Sequence, residues 1–262
     1  MKKYVAFFIF SVVLFCGKGY SQIEISESKK KVDSAGLFVI LTPNFTYNIV
    51  LADLRKEYGN HLAIGTDVGV KLKNNWSIDF GFKYLFGGGI DTSVINTTFL
   101  RLLCDGHFIN NKGVATKEVE FEFRGISVHL QGGKIIPVTK RFRNSGIWIK
   151  CGIGVTQHFI NIKNPGNKVE NLRPDYRKGY DRLTLGFSVY QFVGYAHMTK
   201  RNLFCVYGGI DFFENFAHRQ RDFDFSLMRK DDSKLFEAMI GFKIGWIIPL
   251  YKHDPNREFH YR

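Results

Sequence analysis

The stretch FEAMIGFKIGWIIPL, residues 236–250, decides the fold. Its even positions down to Ile248 are Phe236, Ala238, Ile240, Phe242, Ile244 and Trp246, and between them stand Glu237, Met239, Gly241, Lys243 and Gly245. A period of two with unlike faces is the period of a β-strand, whose successive side chains point to opposite sides of the sheet. One face is aromatic and branched. The other carries glycine and charge.

The same pattern recurs along the chain. Leu62, Ile64, Thr66, Val68, Val70 and Leu72 alternate with Ala63, Gly65, Asp67, Gly69 and Lys71, and Trp76, Ile78, Phe80, Phe82, Tyr84 and Phe86 with Ser77, Asp79, Gly81 and Lys83. Ile126, Val128 and Leu130 oppose Ser127, His129 and Gln131, and Ile147 to Val155 oppose Trp148, Lys150, Gly152, Gly154 and Thr156. Two more segments put Leu185, Phe187, Val189, Val193 and Tyr195, then Phe204, Val206, Ile210 and Phe212, on their apolar faces. A weaker segment, 36–45, is interrupted by Pro43; counting it predicts eight strands.

The connections decide between a soluble sandwich and a membrane barrel. They are 46–60 (medium), 73–75 (tight), 87–119 (long), 139–145 (short), 163–182 (long), 200–202 (tight) and 217–234 (long). Longer and shorter links alternate throughout, as in a transmembrane barrel with short periplasmic turns and long outer loops. The faces agree. Asp67, Lys71, Asp79, Lys83, Lys150, Asp211, Glu237 and Lys243 all fall on the small-residue side. A soluble barrel would bury the greasy face inward; with hydrocarbon outside, the charges can pair in the lumen, and the sheet must close because an open edge leaves backbone groups unsatisfied. The expected fold is all-β, an antiparallel up-and-down transmembrane barrel over 36–250. Eight strands give an interior about filled by side chains, so no open pore is expected.

The N-terminus reads as an export signal over 1–21. Met1-Lys2-Lys3 is basic, 4–16 is apolar, and Gly19 and Ser21 are the small residues that cleavage before Gln22 requires. The apolar run is too short to span as a helix, which takes roughly 20 residues. Cys16 would suggest lipid attachment, but bulky Phe15 precedes it. Residues 22–35 form a periplasmic segment in this reading and 251–262 a periplasmic tail. The chain has 262 residues and a formal charge of +13; the mature part loses Lys2, Lys3 and Lys18 and stays strongly basic. For an exported chain, anionic headgroups, lipopolysaccharide phosphates or an acidic partner suit that charge better than nucleic acid. Cys104, Cys151 and Cys205 lack metal or redox spacing and imply no disulfide framework.

Residues 243–250 resemble the C-terminal assembly signal of outer-membrane β-barrel proteins: polar, any, Gly, two of any, hydrophobic, any, hydrophobic. Lys243, Gly245, Ile248 and Leu250 occupy the pattern positions. The resemblance implies that the barrel assembly machinery of a Gram-negative envelope reads this strand. It departs from the family in that residues 251–262 follow. The signal ending Ser21-Gln22 resembles those of Bacteroidetes envelope proteins, and the mature chain resembles small eight-stranded barrels of OmpA/OmpX-like architecture. A second copy of Gly-x-Ile-Ile-Pro-x-x-Lys begins at Gly133, matching the one at Gly245. Both read as punctuation closing a down-going strand.

The functional expectation is a monomeric, non-catalytic barrel with a structural, adhesive or complex-anchoring role and no cofactor or metal. Its basic loop (Lys163, Lys168, Arg173, Arg177, Lys178 and Arg182) would face lipopolysaccharide phosphates. The loop 218–232 mixes charge and aromatics, 99–105 would lie on the rim, and the tail with Arg257, Phe259, Tyr261 and Arg262 would meet a periplasmic partner. One alternative is a lipid A-modifying enzyme. His158 near an outer strand end, Ser226 and Ser93 are its candidate residues, and they need a shared hydrogen-bonded geometry. A lipocalin-like periplasmic carrier is the other. No phosphate loop, zinc spacing or calcium loop appears.

Overall fold

The computed structural model describes residues 38–72, 74–90, 108–109, 112–116, 119–138, 144–198 and 205–250. The expected signal 1–21, the segment 22–35, the tail 251–262, and Ser93, Cys104 and 99–105 lie outside them. Eight long strands succeed one another: β1 (Phe38–Ala52), β2 (His61–Lys71), β3 (Trp76–Gly87), β4 (Glu120–Pro137), β5 (Gly146–Lys163), β6 (Thr184–His197), β7 (Val206–Arg219) and β8 (Lys234–Trp246), the last resumed by Ile248–Leu250. Each pairs antiparallel with the next, and β8 pairs back onto β1 from Ala52↔Glu237 to Asn44↔Gly245. The sheet is closed. A separate two-residue ladder joins Phe108–Ile109 to Ala115–Thr116, and single helical turns such as Pro174–Arg177 decorate the connections.

Connections 53–60, 88–119, 164–183 and 220–233 share one end of the ring, and 72–75, 138–145 and 198–205 the other; the first, eight residues long, matches 138–145 and 198–205 in length and exceeds only its neighbour 72–75. Both ends of the barrel sequence, Phe38 and Leu250, lie at the short-turn end. The alternation read from the sequence holds link by link, with three shifts in boundary, one of them the turn expected at 200–202, which spans 198–205. β1 runs through Pro43 to Ala52, where a strand ending at residue 45 was expected. Pro43 is tolerated because it falls between the pairs Asn44↔Gly245 and Leu41↔Ile248, where the β1–β8 ladder is interrupted and no N–H is called for. Lys163, assigned to a loop, ends β5.

The faces separate as the alternation requires. Ile64, Ile78, Phe80, Leu130, Ile153, Phe242 and Ile244 are all exposed on the outside, with Trp76, Tyr195 and Trp246 toward the short-turn end. Inward positions are almost wholly buried. The two Gly-x-Ile-Ile-Pro copies do the same work on β4 and β8. In each, the glycine and first isoleucine face inward (Gly133 and Ile135, Gly245 and Ile247), while Ile136 and Ile248 face out. The isoleucine pair thus divides between the lumen floor and the outer surface. A Cβ on Gly133 would lie 2.7 Å from Lys150 Cγ, and one on Gly245 2.5 Å from the Pro43 carbonyl, so only glycine fits both.

Candidate functional site

The lumen is the candidate site, and its chemistry comes in tiers. At the short-turn end Trp148 packs edge-on against Tyr207 (centroids 5.3 Å) and Phe192 (6.4 Å), closing the floor with aromatic rings. Beside them Lys71 donates to Asn75 (2.8 Å) and Asn144 (3.0 Å).

Above the floor is an ionic array made entirely from strand residues. Lys83 Nζ pairs with Asp211 at 2.7 Å and Lys150 Nζ with Asp79 at 3.1 Å, Asp79 also accepting from Ser77. Asp67 sits among Lys243 (3.6 Å), Lys150 (3.7 Å) and His129 (3.6 Å). These separations exceed hydrogen-bonding distance, so charge rather than a directed bond holds Asp67. Lys243 donates to the Tyr190 hydroxyl at 3.0 Å, and the Lys150 ammonium lies 3.8 Å from the Trp148 ring centroid. Three carboxylates balance three ammonium groups, which makes burial of all six tolerable. Room for them comes from small inward residues on neighbouring strands. A Cβ on Gly81 would collide with His129 and Asp67, and one on Gly241 with Asp211.

Next come hydroxyls and a histidine. Thr156 donates to Ser127 (2.9 Å) and meets Ser188 (3.2 Å). His158 Nε2 bonds Glu237 at 2.9 Å, Asn215 donates to the same carboxylate at 2.6 Å, Tyr58 and Phe123 pack against the imidazole, and His61 lies on the Phe123 ring. At the loop end Glu57 takes Arg219 (2.5 and 2.6 Å) and Arg182 (2.8 Å). Arg182 also approaches Asp224 (3.7 Å), Arg219 approaches Asp231 (3.5 Å), and Arg221 pairs with Asp181. These bonds tie three connections together across the mouth.

The basic residues expected to act together have different positions. Lys168, Arg173 and Lys178 are exposed, Arg173 beside Glu170 (2.8 Å). Arg177 donates to the Leu172 carbonyl, Lys163 pairs with Glu122 (2.6 Å), and Arg182 turns into the latch. Of the assembly-signal positions, Lys243 and Gly245 face the lumen, while Ile248 and Leu250 face out. His158 is buried in the lumen with Glu237, and Ser226 lies in the β7–β8 connection with its N–H on Asp224 (2.6 Å). Cys151 is exposed on the outer face and Cys205 buried; both are free thiols. Among the described residues no cluster of His, Cys, Asp and Glu has metal-binding geometry.

Sequence reasoning placed the inward charges and Trp148 but missed the Glu57–Arg219 latch and the inner aromatics Tyr190 and Phe192. It also missed the polar run Thr42, Asn44, Thr46, Asn48 on β1, each buried and two residues apart, a signal that would have extended the strand.

The fold and lumen define a class: a closed eight-stranded antiparallel β-barrel turned inside out, apolar where a soluble barrel is wet and charged where it is greasy. No protein-family model matches the chain, and no curated protein matches it either. Solved structures with a similar fold include Neisserial surface protein A (7% identity, 82% of this chain and 99% of that one, TM-score 0.42). Ail, the attachment invasion locus protein of Yersinia pestis, matches with 8% identity over 81% and 98% at TM-score 0.44. A major outer membrane protein from Thermus thermophilus matches with 8% over 81% and 99% at TM-score 0.41.

Proposed function

We propose that this chain is an integral outer-membrane β-barrel whose lumen is sealed and whose role is anchoring or adhesive. The observation that carries the reading is the combination of faces: paired charge fills the interior while the exterior presents isoleucine, phenylalanine and tryptophan. Water outside would leave that exterior unsatisfied, and a lipocalin-like carrier would have the faces reversed. Charges bound to one another are poor ligands for a passing solute, so the interior serves as filling.

Function then belongs to the loop end. Exposed Lys168, Arg173 and Lys178 suit lipopolysaccharide phosphates, and the outward side chains of Ile248 and Leu250 suit a strand read by assembly machinery in a Bacteroidetes-type envelope. A non-catalytic role is supported by the commitment of His158 to Glu237 inside the lumen, away from lipid. Heat-modifiable gel mobility in an outer-membrane fraction, together with no conductance in planar bilayers, is the expected result. Recovery in the soluble periplasm would overturn the membrane reading, and steady conductance the sealed lumen. Altered lipid A in a deletion strain would favour the lipid A-modifying alternative.

A further inference from the structure

Above Asn48↔His61, the last pair that joins β1 to β2, the two strands part. β1 runs on to Ala52 and turns through Asp53–Lys56, while 57–60 lead back into β2. The gap is a cavity of about 300 Å³, a volume at the lower end of small-molecule sites. Val50 and Tyr58, both buried, form its back, and Ile49 and Asn60, outward by alternation, its front. Gly59 and Gly89 make one wall, and they are glycines by necessity. A Cβ on Gly59 would stand 2.9 Å from the Gly89 carbonyl, and Gly89 has a φ of +76°. Asn60 fixes the opposite edge, accepting from the Val50 N–H (3.2 Å) and donating to the Tyr47 hydroxyl (3.2 Å). Among the described residues, Arg55 is the one charged side chain that lines the cavity, and it is exposed. The charges beside it are committed elsewhere. Lys56 pairs with Asp53 (2.8 Å), whose other oxygen accepts from the Phe236 N–H, and Glu57 binds Arg182 and Arg219. No described acidic side chain pairs with Arg55.

The height of the cavity says what meets that guanidinium. Tyr47, Leu62 and Phe86 form the last apolar rung shared by β1, β2 and β3 on the outer face, and the rung continues to Arg124 on β4. Asn60 and Gly88 come next above Leu62 and Phe86. The cavity therefore opens just above the apolar belt, at the level where hydrocarbon gives way to headgroups. The geometry points to a site for one outer-leaflet lipid with a phosphorylated sugar headgroup. The phosphate sits on Arg55, whose planar fork suits two of its oxygens at once, and the sugar lies between Ile49 and the glycine wall. A headgroup entering from the front leaves its acyl chains along Tyr47, Leu62 and Ile64, which a free phosphate could not use. This rests on the outer-membrane reading. It differs from the contact of exposed Lys168, Arg173 and Lys178 with lipopolysaccharide in being enclosed, so that one lipid is held in one orientation.

Native mass spectrometry of the detergent-solubilised barrel, titrated with bisphosphorylated lipid A, tests the assignment. One lipid per chain is expected to bind ahead of any others. Arg55→Ala should weaken that first event about tenfold, the scale of one charge-assisted hydrogen bond. Arg229→Ala, which removes an exposed arginine from the β7–β8 connection, should leave it unchanged. Ile49→Trp fills the cavity without altering its charge and should weaken binding as well. Dephosphorylated lipid A should bind the unaltered chain no better than bisphosphorylated lipid A binds Arg55→Ala. Equal affinity in Arg55→Ala and the unaltered chain, equal loss in Arg55→Ala and Arg229→Ala, or no first tight lipid at all overturns the site. Displacement of lipid A by excess inorganic phosphate would make free phosphate the ligand and overturn the lipid assignment. Heat-modifiable mobility of each chain in outer membranes reports folding and insertion separately, so failure of the outer-membrane reading is distinguishable from failure of the site. Arg55 makes no contact that folding would miss, so its variant tests the site even if Ile49→Trp does not fold.

Discussion

At mid-height Asp67, Asp79 and Asp211 meet Lys83, Lys150 and Lys243 on strands alone, whereas at the mouth Glu57, Asp224 and Asp231 meet Arg182 and Arg219 across three connections. The first group is placed by strand alternation: once the ring closes, the register leaves those side chains nowhere else to go. The second exists only if the connections fold over the barrel end. Lysine, a compact charge, serves the crowded middle, and at the mouth the planar fork of Arg219 spreads its donors, Nη2 to both oxygens of Glu57 and Nη1 to the Thr184 hydroxyl and the Arg182 carbonyl. The middle should therefore set global stability and the mouth local order.

The largest effect is expected from the middle. Asp67→Leu leaves Lys150, Lys243 and His129 facing one another without their shared carboxylate, which should cost about 3–5 kcal/mol in urea unfolding from bilayers. A cost no larger than that of a surface substitution would mean that the lumen is hydrated enough to make the array dispensable. On the other face, Ile64→Lys should cost roughly 2–4 kcal/mol if that position meets lipid near mid-membrane. A neutral result would place it in water.

The mouth should respond differently. Glu57→Gln removes the charge that binds both Arg182 and Arg219, worth roughly 1.5–3 kcal/mol of local order. Its readout is faster proteolysis in the connections 164–183 and 220–233, with the barrel's heat-modifiable mobility intact. Loss of the whole barrel would erase the distinction between the two regions.

The smallest effect is acid sensitivity at the mouth. Asp53 is held below the usual carboxylate range by the hydrogen bond from Lys56, against some burial, with a further bond from the Phe236 N–H. Burial works against Asp231, yet hydrogen bonds from Ser233 and the nearby Arg219 leave it lowered too. A lowered carboxylate stabilises above its unfolded value and loses that contribution as pH falls through the folded one. Acidification below about pH 4 should loosen the loops before the barrel; with these groups partly in solvent, each is worth roughly 0.3 kcal/mol. Hydrogen exchange of 53–60 and 220–233 across that window would show it. Uniform protection would remove the effect.

The same comparison explains what the sequence made legible. Strand alternation is a local signal, and it suffices to put Asp67, Lys83, Lys150, Asp211 and Lys243 on the inner face. It does not name their partners, because which aspartate meets which lysine depends on closure of the ring and on the stagger between strands. β1 was weakened by Pro43, whose missing N–H falls at an interruption in the ladder, and cut short at residue 45 because 46–52 was assigned to the first connection. The latch was invisible for a different reason: Glu57, Arg182 and Arg219 are far apart in the chain and have no periodicity.

The central claim is that the greasy face meets lipid and the charged face does not, and the three tryptophans test it. Trp76 and Trp246 are 47% and 62% exposed on the outer face, and Trp148 is fully buried in the lumen. With single-tryptophan variants reconstituted in bilayers containing brominated lipid, fluorescence from Trp76 and from Trp246 should be strongly quenched and that from Trp148 spared. Quenching of Trp148 with Trp76 and Trp246 untouched would contradict the inside-out barrel.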